Sequence, residues 1–562
     1  MGNCEKLYTA AGETLQGVPW NVYPRPQLKR DSFLCLNGEW DFAVGDEPTY
    51  DRTVRVPFAP QSLLSGLDEL IPDGATVWYR RTFALPEGFV RSRVLLHFGA
   101  VDQIAAVWVN DTLVGEHVGG YEPFSVDITD TLQAENTVTV RVYDTLDNVL
   151  PYGKQCHKRG GMWYTPVTGI WQTVWLESVP ETYVQSLHID VTDKAATVRA
   201  DGVSDGTVTV ETPDGELMVA LINGEAVIAP PSLRLWSPED PYLYHFTLRT
   251  AEDEVTSYFA LRTLEVRTVD GLPRLCLNGK PYFFHGLLDQ GYWSDGLFTP
   301  ATPDGFEQDI RAMKALGFNM LRKHIKVEPE RFYYDCDRLG MVVFQDMVNN
   351  GDYSFFRDTA LPTVGLLRRN DRRLHKNVRS RRACEAGMLQ TVRHLYNHPS
   401  ICYWTIFNEG WGQFCADEMY RLLRTVDSSR FIDSTSGWFL AKETDVDSRH
   451  IYFRKVKLKS SDKPLVLSEF GGYSYKPEGH VFNTEQTYGY GKCATREELV
   501  AAIRRLYTEE VLPLVSKGLC AAVYTQVSDI EDETNGLVTY DRRVAKLLPA
   551  EFLDISEKLI YG

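Results

Sequence analysis

Several things are missing from this sequence, and each absence removes a class of protein. Basic residues are not in excess: 59 Lys and Arg stand against 76 Asp and Glu, a formal charge of −17 over 562 residues. Phosphate backbones are bound by a basic footprint, so nucleic acid is excluded as the main partner. No apolar run approaches the ~18 residues that cross a bilayer, so no transmembrane helix and no membrane partner are expected. The ten cysteines contain no CxxC pair, and their scatter suits neither a zinc site nor a disulfide framework. MGNCEKLYTA lacks a basic stretch followed by an apolar one, so no signal peptide is read there. Lys6 stands where a myristoylation site has Ser or Thr. Free thiols and a cytoplasmic location are the expectation. No glycine-rich nucleotide motif follows an apolar run, and no repeat or low-complexity segment is visible.

What is present is patterning. VLLHFGAV (94–101), IAAVWVN (104–110), TVTVRVYD (137–144) and WQTVWLES (171–178) alternate apolar and polar residues, as strands of a half-buried sandwich do. A second β-rich stretch carries an Asp-Gly turn within TVTVETPDGELMVALING, and about 85 residues suffice for an immunoglobulin-like sandwich. Beyond Val266 the pattern changes to compact apolar runs: PYFFHG, FNMLRKH, MVVFQDM, ICYWTIFNE, FIDSTSG, HIYF, PLVLSEFGG and CAAVYTQ. Amphipathic stretches such as DGFEQDIRAMKALG lie between several of them. Eight buried strands alternating with helices describe a (β/α)₈ TIM barrel. The reading is therefore multi-domain: a β-sandwich over 1–180, an immunoglobulin-like β-sandwich over 181–265 and a TIM barrel over 266–562.

Barrel chemistry projects from the C-terminal ends of the strands. The fourth run ends at Asn408-Glu409 and the seventh at Ser468-Glu469, each followed by glycines. One strand-end Glu is as easily a salt-bridge partner. A pair in one cleft is what glycoside hydrolysis needs, one carboxyl to protonate the leaving oxygen and one to attack or direct water. Trp404, Trp411 and Trp438 flank the pair, and aromatic faces suit sugar rings.

These residues resemble glycoside hydrolase family 2, the family of β-galactosidases, β-glucuronidases and β-mannosidases. Asn397-His398-Pro399-Ser400-Ile401, then Trp404 and Asn408-Glu409, is similar to the family's acid/base motif, with Thr405 where Gly or Ser is usual. Asn319 through His324, continuing to Asp337-Arg338-Leu339-Gly340, is similar to its other signature, one residue shorter between Arg322 and His324. Gly153-Lys154-Gln155, Arg159 through Pro166 and Gly169-Ile170-Trp171-Gln172 look like the end of its N-terminal sugar-binding jelly roll. The resemblance implies an exo-acting retaining β-glycosidase, with Glu409 as acid/base and Glu469 as nucleophile. Glu409 would start protonated, its pKa raised by burial and by the Glu469 charge. Asn408 would bond the sugar 2-hydroxyl. Tyr452 is a candidate to hold the nucleophile ionised, His324 and Asp346 to meet sugar hydroxyls, and Trp438 to stack. No cofactor or metal is needed, the partner is a small carbohydrate or glycoconjugate, and a homo-oligomer is left open. The C-terminal β-domains of larger relatives are expected to be absent.

The sugar is less legible. Thr534-Asn535-Gly536-Leu537 lacks the lysine of the family glucuronidases' Asn-x-Lys element. A basic run follows the third strand: Arg357, Arg368, Arg369, Arg372, Arg373, His375, Lys376, Arg379, Arg381 and Arg382. With Lys323 and Lys326 it suggests an anionic sugar, so a β-galacturonide stands beside a neutral β-galactoside. Arg357 and Lys326 are the named candidates. Asp529, Glu531, Asp532 and Glu533 lack calcium-loop spacing and read as a solvated loop or a partner of the basic run. A non-catalytic carbohydrate-binding protein on the same fold is the alternative function.

Overall fold

In the strand Asn136–Tyr143, Val138, Val140 and Val142 are buried while Arg141 and Tyr143 face outward. That strand lies inside a six-stranded antiparallel sheet, in order Arg52–Val56, Gly38–Val44, Thr76–Phe83, Asn136–Tyr143, Ile104–Val109 and Thr112–Val118. A four-stranded sheet of Leu34–Cys35, Val174–Val179, Arg93–Phe98 and Phe124–Asp127 closes the sandwich. Trp40, Phe42, Tyr79, Phe98, Val140 and Leu176 fill it. The computed structural model describes residues 4–363 and 370–561, so Arg368 and Arg369 lie outside the described residues.

A second sandwich follows. Ser186–Val191, Ala196–Asp201 and Glu225–Ile228 face a four-stranded sheet of Gly215–Leu221, Gly206–Thr212, Tyr244–Arg249 and Glu254–Phe259. Its core holds Val198, Val208, Phe246 and Leu248. The Asp-Gly turn forms where the pattern placed it, joining Gly206–Thr212 to Gly215–Leu221 with Gly215 at φ 113°.

All eight apolar runs become parallel strands of one sheet: β1 (Phe284–Asp289), β2 (Met320–Lys323), β3 (Val342–Asp346), β4 (Ile401–Thr405), β5 (Phe431–Asp433), β6 (Asp447–Ile451), β7 (Leu465–Gly471) and β8 (Leu519–Thr525). They run in the order β5-β4-β3-β2-β1-β8-β7-β6. The wall is nearly closed; among the described residues no ladder joins β5 to β6. Helices Asp304–Ala315, Glu330–Leu339, Val378–Leu395 and Ala416–Arg424 fill the connections from β1 to β5, and Arg496–Leu506 lies between β7 and β8. The connections on either side of β6 carry no described helix. Those short segments, rich in Lys, Ser and Thr, have no 3.6-residue apolar period. No described helix is long and apolar enough to cross a membrane. All ten cysteines are unpaired.

Two features join the N-terminal domain to the barrel. The leading segment crosses the barrel, with Thr9 bonding Asp295 through N and Oγ1 at 2.8 and 2.6 Å and Trp20 donating to the Pro300 carbonyl. The second feature corrects an expectation. Asp529, Glu531, Asp532 and Glu533 are buried, not solvated, and their partners lie outside the basic run. Asp529 meets Lys546 Nζ at 2.6 Å, and Glu531 accepts from Thr165 N at 3.0 Å. Asp532 accepts from Asn483 at 2.7 Å, and Glu533 accepts from the Tyr164 hydroxyl. Buried acceptors need donors, and the N-terminal domain's 159–165 segment supplies several. Charge counting along the sequence could not find these partners, because they are hydroxyls, amides, Lys546 and, at 3.7–3.8 Å from Asp532 and Glu531, Arg159 of the N-terminal domain. Lys546→Met leaves Asp529 buried without its cation and is expected to lower stability by about 3–5 kcal/mol in urea unfolding. A loss below about 1 kcal/mol would show that this ion pair does not secure the loop.

Candidate active site

Glu409 lies four residues past β4. Its backbone φ of 53° is a left-handed conformation that a side chain rarely adopts. Glu409 N donates to the Ser436 carbonyl at 2.9 Å, which pins the turn. Gly412, at φ 64°, completes it; a Cβ there would meet the Asn350 carbonyl oxygen at 2.2 Å. Glu469 sits within β7, opposite His450 of β6, where the β6–β7 register shifts between Arg449 and His450. Such an irregularity re-aims side chains. It turns Glu469 into the cleft and His450 onto the two carboxylates.

The two carboxylates and His450 present ligand atoms within 4.8 Å of one another. His450 Nδ1 is 2.8 Å from Glu409 Oε1 and 3.6 Å from Glu469 Oε2. Burial pushes the pKa of His450 down to about 4, so the ring is neutral. Arg322 Nη1, which can only donate, faces His450 Nε2 at 3.4 Å. The ring proton therefore belongs on Nδ1, aimed at Glu409. Glu469 is held differently. It accepts from Arg322 at 3.1 Å and from the Tyr452 hydroxyl at 2.5 Å. Arg322 also donates to Asp346 at 2.9 Å and to Asn408 Oδ1 at 2.8 Å.

Burial raises Glu409 to about 7, against the opposing charges of Lys154 and Arg322. Burial, rather than the Glu469 charge, is the main cause. Burial also raises Glu469, with the Glu409 charge adding to it while Arg322 and Tyr452 oppose. The donors from Arg322 and Tyr452 stabilise the ionised carboxylate. Glu469 is thus the member of the pair kept charged, and Glu409 the member suited to carry a proton.

The cleft has about 280 Å³ of free space, and His324, Asn408, Glu409, Tyr452 and Glu469 line it. Asn408 Nδ2 is buried without a partner, a donor left for a ligand. His324 is turned by Asp346, whose Oδ2 lies 2.7 Å from Nδ1; burial drops its pKa to about 3. Asp346 itself does not line the cleft. It sits behind, bridging His324 and Arg322. Trp438 donates to the Glu409 carbonyl at 3.0 Å and packs edge-on to His450, so it braces the acid's backbone. Trp411 lines the cleft; Trp404 is fully buried and donates to Asp427.

The proposed basic contacts are placed elsewhere. Lys326 is buried and spends its donors on the Gly291 and Phe298 carbonyls and on Glu328. Lys323 pairs with Asp289 and Glu328. Arg357 pairs with Asp352 and Asp358. No described member of the basic run lines the cleft. Two residues without an assigned role do belong to the site. His450 opens the HIYF run instead of ending it, and faces Glu409 and Glu469 through the register shift. Lys154 lines the cleft from the N-terminal domain; its motif signalled that domain, not a contact with the barrel.

A barrel with paired Glu at the ends of β4 and β7, behind two β-sandwiches, defines a glycosidase-type architecture. The chain belongs to glycosyl hydrolases family 2. Its sugar binding domain model matches residues 67–180, the "Glycosyl hydrolases family 2" model residues 180–262, and the TIM barrel domain model residues 268–489. The chain is similar to a β-glucuronidase of Felis catus, 27% identical over 466 residues, covering 72% of this chain and 67% of that one. It is also 27% identical over 300 residues to a β-galactosidase of Thermoanaerobacter pseudethanolicus, covering 48% of this chain and 39% of the relative. In fold it is similar to the β-D-glucuronidase of Dictyoglomus thermophilum, with a TM-score of 0.73 at 18% identity, covering 96% and 98% of the two chains.

Proposed function

We propose that the chain is an exo-acting retaining β-glycosidase that releases a terminal β-linked hexose, from a β-galactoside or from a β-uronide such as a β-galacturonide. The observation that carries this reading is the approach of a Glu409 oxygen to within 4.8 Å of a Glu469 oxygen. Retaining enzymes hold the two carboxyls about 5–5.5 Å apart, whereas inverting ones leave roughly 6.5–9.5 Å for a water.

In the first step the Glu469 carboxylate attacks C1 while Glu409 gives its proton to the glycosidic oxygen. The C1–O bond breaks, the aglycone leaves as an alcohol, and a glycosyl ester forms on Glu469. In the second step the Glu409 carboxylate takes a proton from water, the hydroxyl attacks C1, and Glu469 is released. Asn408 Nδ2 is free to bond the 2-hydroxyl, a contact that strengthens in the transition state. A panel of p-nitrophenyl β-glycosides, with the product followed by NMR, tests the reading. The β-anomer should appear first. An α-anomer as first product would exclude retention, and inactivity on every sugar with binding retained would favour a carbohydrate-binding protein.

A further inference from the structure

The cations near the cleft differ in what they have left to give. Arg322 contacts Asp346, Glu469, Asn408 and the Ser468 carbonyl. Lys323, Lys326 and Arg357 are paired as described above. Lys154 is buried, lines the cleft, and its Nζ has no hydrogen-bond acceptor and no carboxylate in ion-pair range among the described residues. The ammonium instead lies over the Trp411 ring at 4.6 Å, with Trp163 at 5.8 Å. Ring faces attract a cation without using its N–H groups. Three strong donors therefore remain for a ligand.

The chain is built to hold Lys154 there. Tyr152 N donates to the Asn349 carbonyl at 3.1 Å and the Tyr152 hydroxyl donates to the Gly351 carbonyl at 2.8 Å. These tie the segment to the loop after β3. Gly153, at φ 69°, passes so close that a Cβ would meet the Tyr121 hydroxyl at 2.8 Å and the Ile325 carbonyl at 3.0 Å. Tyr164 N donates to the Lys154 carbonyl at 3.1 Å, and the Tyr164 hydroxyl is anchored on Glu533. An ammonium buried without an acceptor is costly, and such a cost is retained where a ligand relieves it.

We propose that Lys154, delivered into the barrel mouth by the N-terminal domain, is the specificity-determining residue of the cleft and binds the carboxylate of a terminal β-uronide. This rests on the glycosidase reading of the same cleft. The three carboxylates that share the cleft are already engaged: Glu409 by His450 at 2.8 Å, Glu469 by Arg322 and Tyr452, and Glu533 by Tyr164 and by Asn535 at 3.0 Å. A neutral hexose offers Lys154 one hydroxyl. That bond is charged on the donor side only; a uronide adds a charged acceptor, and so the Coulomb attraction of an ion pair in a buried cleft.

The test compares p-nitrophenyl β-galacturonide, β-glucuronide and β-galactoside on the wild type and on Lys154→Met. The expected result is a wild-type preference for a uronide, and a fall of about 100-fold or more in uronide kcat/KM in the variant against less than about 5-fold for the galactoside. Lys154→Arg should keep a uronide preference. Equal losses on both substrate classes, or no uronide preference in the wild type, would overturn the assignment. Calorimetric binding of free galacturonate, glucuronate and galactose needs no turnover and separates the two readings. Tighter uronate binding by the wild type, lost in Lys154→Met, keeps Lys154 even if no glycoside is hydrolysed. Hydrolysis without such a preference keeps the glycosidase and removes Lys154. If Lys154→Met does not fold, Lys154→Gln takes its place in both measurements, with the same outcomes.

Discussion

Exchange of Glu469 for glutamine is expected to lower kcat by about 10⁴-fold or more, the scale on which loss of a covalent catalytic group acts. Fold and sugar binding should survive. Glutamine keeps the volume. Its carbonyl oxygen can accept from Arg322, which meets Oε1 of the native carboxylate at 3.1 Å, and its amide can donate to the Tyr452 hydroxyl, which meets Oε2 at 2.5 Å and can turn to Thr525. What is lost is the negative charge that attacks C1. Two measurements isolate the role. In the wild type, a 2-fluoro glycoside with a good leaving group should accumulate as an ester, and peptide mass spectrometry should place the label on Glu469. In Glu469→Gly, added azide should restore turnover and yield the α-glycosyl azide, because azide then fills the space of the missing carboxylate and attacks once, with inversion. A label on another residue, or wild-type rates in Glu469→Gln, would reject the assignment.

How far the sequence reaches can be judged from these same residues. The barrel strands were legible because burial on both faces writes continuous apolar runs, and the sandwich strands because burial on one face writes alternation. Glu409 and Glu469 were legible because a carboxylate where an apolar run meets glycines is uncommon. His450 was not, since its inward aim depends on a register shift that leaves no mark in composition. The acidic run at 529–533 looked solvated because charge alone predicts exposure; its donors come from other segments, 17 residues away for Lys546 and 366 for Thr165. Lys154 was hidden by the same long range. Its neighbours in the chain belong to a β-sandwich, and only the docking of that sandwich on the barrel brings its ammonium to the cleft. Lys323 and Lys326, close in sequence to the end of β2, are spent on Asp289, Glu328 and backbone carbonyls and do not line the cleft. Adjacency in the chain fixed their location, not the direction of their side chains.

Glu409 carries the second large effect. Its proton must be in place when substrate binds, and burial raises its pKa to about 7. Below that pH the folded enzyme holds the proton and the acid is available. As pH rises through about 7 the proton is lost, so kcat/KM should fall about tenfold per unit on the alkaline side. Glu409→Ala should remove this limb. It should also make the rate depend steeply on the leaving group: a loss of about 10²–10⁴-fold for a methyl or p-nitrophenyl glycoside, and a much smaller loss in glycosylation for a 2,4-dinitrophenyl glycoside, whose phenolate leaves without protonation. An alkaline limb that persists at the same pH in Glu409→Ala would place the proton donor elsewhere. The limb also reports on Lys154. The positive charge of Lys154 opposes the elevation of Glu409, so Lys154→Met should raise the Glu409 pKa further and move the alkaline limb to higher pH. That shift should appear even with a neutral β-galactoside, where the uronide contact plays no part. A lysine whose charge does not reach Glu409 would change rates without moving the limb.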